Sequence, residues 1–241
     1  MSLEQQRKSW SGDHKLLSGI IVKPEAHAEA AALFLRLHSA LYAADISSGE
    51  QPSFEDSLWN NLLESTLRSY PVHTPGSRNS IVWHIWHSAR IEDITMNILG
   101  ADRAQVLQSE HYAESLQTPL IHSGNGMSDQ EVAAFSAEVN IGALAAYRRA
   151  VAIRTRSIIS AVQPGQFGRK ATPAQFSRVL EEKAVLETEQ WLLDYWGGKT
   201  LAGLVLMPAT RHNLAAEWRL LRKLCRHKCC TFCNFDSWIA G

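Results

Sequence analysis

NSIVWHIWHSARIEDITMNILG, running from Asn79 to Gly100, is the stretch that decides the fold class. Ile81, His84, His87/Ser88, Ile91, Ile94/Thr95 and Ile98 recur at the spacing of one helix face. Ile85, Ala89, Glu92, Met96 and Leu99 form a second, largely apolar stripe beside it. A helix apolar on two adjacent faces must be covered on both. The spacing therefore predicts a buried central helix over 79–99, with Gly100 as its C-cap.

Outward from that helix, the remaining periodic segments are also helical. Upstream, Pro24 suits a first helical position, where its missing N–H needs no partner. The run Glu25 to Ile46 carries Phe34, Leu37, Leu41 and Ala44 at helical spacing, and a shorter helix is expected from Phe54 to about Ser69. Downstream, 112–127 reads as a loop containing Gly124-Asn125-Gly126. Ser128 and Glu131 form a capping box, whose side chains satisfy backbone N–H groups at a helix start. That helix is interrupted near Asn140 to Gly142 and a long one continues through Leu144, Tyr147, Val151 and Ile158 to Gln163-Pro164-Gly165. Thr172-Pro173 opens another helix to about Leu186, and a further one lies near Glu189 to Trp196. The last spans about Thr200 to Arg226, with Pro208 expected to kink it. Period-2 alternation of the kind that marks strands is lacking. Residues 1–23 read as a polar, loosely held lead-in, 24–226 as one all-α domain and 227–241 as a Cys-rich tail.

Lys plus Arg and Asp plus Glu are equal at 24 each. A general polyanion binder needs clustered excess positive charge, so nucleic acid is not an expected partner. The longest apolar run, Leu201 to Pro208, falls well short of the roughly 18 residues of a membrane span. The first residues show no basic-then-apolar leader, so the expected location is the cytoplasm. All four cysteines fall at Cys225, Cys229, Cys230 and Cys233, too close together to staple the main fold. With His227 they are of zinc-ligand type, but a second well-spaced pair is missing, and a plain oxidisable tail is the simpler reading.

Four places in the helical domain carry chemistry-bearing side chains. His84 and His87 sit three residues apart, so both can look into the bundle, either as metal ligands or as core histidines held by neighbouring helices. His212, followed by Asn213, comes just after the Pro208 kink. His38 lies near the apolar stripe of the first helix. Glu92 occupies an apolar stripe, where a carboxylate must be paired or ligating, and an arginine from another helix is the simplest partner. No nucleophile elbow is present, so Ser or Cys catalysis is unsupported.

Three segments together, Asn79 to Asp93, Gly126 to Ser136 and Leu206 to Asn213, resemble the DinB-like four-helix-bundle superfamily over most of residues 25–224. The resemblance implies an up-down-down-up bundle with additional short helices, commonly a homodimer, with a histidine-lined cleft. It also implies a divalent metal (zinc, nickel or iron) on three histidines, serving a hydrolase or thiol transferase that acts on a small-molecule substrate. Position by position, His87 corresponds to the ligand of the second helix, with His84 as the alternative, and His212 to the first ligand of the last helix. Glu92 and Asn213 are the candidates for supporting roles. The remaining ligand should stand one turn after His212, and that residue is Ala216. A metal-free member binding a small molecule or a protein is the competing expectation.

Overall fold

The chain is seen in a computed structural model that describes residues 2–43, 53–59, 62–69 and 79–226. The described chain is all-helical; it contains no strand, only an isolated bridge between Lys170 and Thr200. None of its helices is long and apolar enough to cross a membrane. The Cys-rich segment 227–241, with His227, Cys229, Cys230 and Cys233, lies outside the described residues.

Ser80 starts the central helix by accepting the amide hydrogen of Trp83 on its hydroxyl (3.1 Å). Among the described residues, the α-helices of six or more residues are α1 (Leu3–Ile20), α2 (His27–Ser39), α3 (Ile81–Asp93), α4 (Asp129–Glu138), α5 (Ile141–Ala161), α6 (Pro173–Glu181), α7 (Trp191–Gly197), α8 (Leu201–Leu206) and α9 (His212–Arg226). The central helix, α3, runs on without a break into a π-helical stretch, Ile94–Gly100. Every residue from Ile81 to Gly100 is buried except the partly exposed His87, as two apolar faces require. α3 packs against α5 on one side and α9 on the other, while α2 closes against α5 and the turn before α9. The π stretch is covered by α6 and α8.

Several boundaries differ from the sequence expectation. Gly100 is no left-handed cap; it ends the π stretch, and Ala101 caps it by donating its N–H to Asn97 and Ile98. A Cβ at Gly100 would stand 3.3 Å from the Thr95 carbonyl oxygen of the preceding turn and only in ordinary contact with the Leu201 side chain at 3.5 Å. Residues 54–69 form two short turns, Asp56–Trp59 and Glu64–Leu67, in place of one helix. The lead-in 1–23 is mostly α1. Its polar composition conceals a stripe, Trp10, His14, Leu17 and Ile21, that is buried against α2 and the turn before α9. Burying each of the larger side chains contributes about 1.5–3 kcal/mol, enough to hold an otherwise hydrophilic helix. The capping box at Ser128 and Glu131 is formed, and α5 is capped separately by Asn140, whose side chain accepts from the Ala143 amide (2.9 Å).

The last helix is divided. α8 and α9 are joined by a π turn, Met207–Arg211, that contains Pro208. Pro208 can donate no hydrogen bond, and the backbone widens to the π register, in which His212 donates its amide to the Met207 carbonyl. The extra residue rotates His212 and Asn213 relative to a regular continuation of α8.

Candidate functional site

His87 projects from α3 where a loop, Ile121 to Met127, crosses that helix. Four contacts tie the loop down: Arg90 donates to the Ile121 carbonyl (2.6 Å), His87 Nδ1 to the Ser123 carbonyl (2.6 Å), and Trp83 Nε1 to the Met127 sulfur (3.2 Å), while Gly124 lies against the Trp86 ring. A carbonyl only accepts, so Nδ1 of His87 carries the ring hydrogen, and the lone pair of the neutral ring sits on Nε2. Trp83 stacks on the same imidazole at 4.6 Å and 10°, which fixes its plane.

His212, placed by the π turn, meets His87 edge to face, with ring centres 5.1 Å apart. Burial lowers the pKa of His87 to about 4, the Ser123 bond acting in the opposite sense. Burial likewise lowers that of His212 to about 3, with His87 and then His84 adding to the effect. Both rings are thus neutral at pH 7, and each keeps one nitrogen lone pair. Among the described residues, Nδ1 of His212 is buried without a hydrogen-bond partner. Two imidazoles on one tetrahedral ion, each at about 2.0–2.1 Å, have their ring centres roughly 5 Å apart. The donor type and the ring-centre separation of this pair match those of two imidazoles on one borderline divalent ion.

Among the described residues a third donor is not brought in: no group of three or more His, Cys, Asp or Glu side chains there is placed to share an ion. His84 influences His212 electrostatically but lines a separate narrow crevice with Glu55, Ser88, Arg148, Ala216 and Glu217, which has no interior space wide enough for a water molecule. His38 belongs to neither place. It is fully buried, and its Nε2 donates to Glu92 Oε1 (2.9 Å).

Glu92 is held by α2 and α9 together. Besides His38 it accepts from the Tyr42 hydroxyl and from Asn213 Nδ2 (2.7 Å) on Oε2. Burial alone would raise its pKa; His38 and the hydrogen bonds outweigh that and hold the carboxyl below its ordinary value. The arginine expected beside Glu92 is elsewhere. Arg90 pairs with Asp93 (3.1 Å) on its own helix, and Arg148 of α5 binds Glu55 (2.9 Å) and Glu217 (2.5 Å) while lying 4.4 Å over the Tyr42 ring. Glu92 therefore fixes Asn213, the neighbour of His212, and does not reach the His87–His212 gap through any hydrogen bond.

Sequence reasoning missed the Arg148–Glu55–Glu217 cluster. Its members lie on three separate segments, and Arg148 is followed by Arg149 in what reads as a solvated stretch of a long helix. The one available signal was the helical spacing of Arg148 with Leu144, Val151 and Thr155, all of which are buried.

No protein-family model, curated protein sequence or solved structure matches this chain.

Proposed function

We propose that this chain is a DinB-like bundle that binds a divalent transition metal on His87 and His212 and leaves the other coordination positions to a small external ligand. The observation that carries the reading is the convergence of two neutral imidazoles, one of them with its Nδ1 locked on a backbone carbonyl. That outer hydrogen bond is the usual means of fixing tautomer and orientation in a metal-binding histidine. Zinc, nickel and iron all suit imidazole donors. Such an ion, when bound, supplies Lewis-acid activation of water or of a thiol, the chemistry of a hydrolase or thiol transferase. His87 and His212 hold it, Ser123 and Trp83 orient His87, and Glu92 orients Asn213 beside His212.

Cross-helix pairs support the family's up-down-down-up run. Arg156 reaches Leu35 and Ser39, whereas Arg148 reaches Leu41, so α2 and α5 run oppositely. His38 meets Glu92 while Arg148 bridges Leu41 to Ser88, so α2 and α3 run oppositely as well. Asn213 meets Glu92, while Ala216 and Leu220 share a crevice with Ser88 and His84, which sets α9 against α3.

The competing reading, a metal-free binding module, is favoured by Ala216 at the position of the missing ligand. Elemental analysis of protein purified without a metal-affinity column decides between them. Near-stoichiometric metal that disappears in both His87→Ala and His212→Ala is expected. Protein that stays metal-free after incubation with zinc, nickel and iron(II) would overturn the proposal in favour of the binding module.

A further inference from the structure

The N-terminal helix reaches the turn that sets His212. His14, on the buried stripe of α1, is 3% exposed, and its Nε2 lies 3.0 Å from the Leu206 carbonyl and 3.1 Å from the Thr210 hydroxyl. The Thr210 hydroxyl in turn donates to the Val205 carbonyl (2.8 Å). Nε2 must carry the hydrogen, since a carbonyl cannot donate, and it bridges the last residue of α8 to the π turn. Trp10 stacks on the His14 ring at 4.9 Å and 16° and donates its indole N–H to the Leu37 carbonyl (2.9 Å). The donor is thereby fixed from behind by α2.

A π turn with a proline in it has a standing alternative. Dropping the extra residue would restore the α register and rotate everything after Arg211 by about 100°. His212 would then leave His87. The backbone supplies few bonds against that change, because Pro208 contributes none. The contacts made by His14 and Thr210 are side-chain contacts specific to the widened turn.

We infer that His14 is a positioning residue that locks the Met207–Arg211 π turn and so holds His212 against His87. α1 is then part of the site's machinery. The inference rests on the metal reading for its functional consequence, but its structural half does not depend on any metal.

Three proteins test it: wild type, His14→Phe, which keeps the ring stacked on Trp10 and removes the donor, and His14→Gln, which restores an N–H donor at similar reach. Amide hydrogen exchange of residues 207–213 is followed without metal, and zinc affinity is measured by competition with a chromogenic chelator. In His14→Phe, exchange at the His212 amide is expected to rise about tenfold while α3 and α5 amides keep their protection. Zinc affinity is expected to fall about tenfold, as when an outer hydrogen bond to a ligand is lost. His14→Gln should recover most of both. Unchanged exchange in His14→Phe, a rise shared by every core amide, or no recovery in His14→Gln would each overturn the lock. If wild type binds no zinc, the metal reading fails by itself, and the exchange data still decide whether His14 holds the turn.

Discussion

At the scale of single residues, the deepest consequence of the site is its pH dependence. His87 and His212 titrate near 6.5 in an unfolded chain, but burial holds them at about 4 and about 3 in the folded one. Below pH 6.5 the unfolded state therefore takes up protons that the folded state refuses, so stability is full above pH 6.5 and falls as pH drops toward 4. Each unit of difference is worth at most about 1.4 kcal/mol per histidine, and partial exposure of both rings reduces it. Denaturant titrations of metal-stripped protein at pH 7.0 and 5.0 should differ by on the order of 2 kcal/mol. The difference should shrink by half or more in His87→Gln/His212→Gln, and an equal pH slope in that variant would show that the rings are not desolvated. Glu92 works in the same direction at lower pH: its carboxyl, too, is held below its ordinary value, so the stability it contributes is lost as pH falls. Its carboxylate is stabilised by His38, Tyr42 and Asn213, and replacing it with Ala strands three buried polar groups. Glu92→Ala should cost about 3–5 kcal/mol in a denaturant melt, whereas Glu92→Gln should retain part of that.

At the scale of elements, two irregular pieces do the positioning. One is the π turn, and the other is the loop over α3. Gly124 adopts a φ of +89°, and a Cβ there would stand 2.5 Å from the Trp86 ring. Gly124→Ala is thus strained twice, by backbone and by overlap, and should destabilise the protein by about 1–3 kcal/mol. Because Ser123 is its neighbour, the same change should loosen the His87 ring, seen as a broadened or shifted imidazole resonance by NMR; a wild-type His87 signal in a destabilised variant would separate the loop from the site. The regular elements were legible in the sequence because burial on two faces leaves a 3.6-residue period, as in α3, and because caps such as Ser128 with Glu131 use fixed side-chain chemistry. The π segments were not. Pro208 announces a disruption but not its form, and Ile94 to Gly100 reads as ordinary helix, since a single inserted residue leaves composition unchanged. α1 was hidden for a different reason: its buried stripe is only one residue wide, and His14 contributes to it as a hydrogen-bond donor that no hydrophobic pattern registers.

At the scale of the whole molecule, buried charge knits the bundle together. Arg148 joins α5 to Glu55 and to Glu217 on α9, and it bonds Ser88 on α3 and the Leu41 carbonyl after α2. Burial pushes Glu217 well above the ordinary carboxylate range, with Arg148, which it pairs with at 2.5 Å, pulling the other way. Removing the guanidinium leaves a carboxylate buried without compensation, and Arg148→Met should cost about 3–5 kcal/mol, with Arg148→Met/Glu55→Gln less harmful than the single change. Such a cluster is illegible in sequence because its members are brought together only by helix packing. The same packing allows a test of the proposed resemblance by supplying a histidine at position 216, where it would place a third ligand. Ala216 stands one turn after His212 and borders the crevice that holds His84 and Ser88. An imidazole there must open that crevice, at a cost of about 1–3 kcal/mol in the metal-free protein. If α9 lies antiparallel to α3 beside His87 as proposed, Ala216→His supplies a third neutral donor on the face of His212, and zinc affinity should rise at least about tenfold over wild type. The lost stability should return on adding zinc, so the variant's melting temperature should climb with metal concentration more steeply than that of wild type. A variant that is destabilised yet gains neither affinity nor metal-dependent melting would mean that position 216 does not face the histidine pair, and the register of α9 in this bundle would have to be drawn differently.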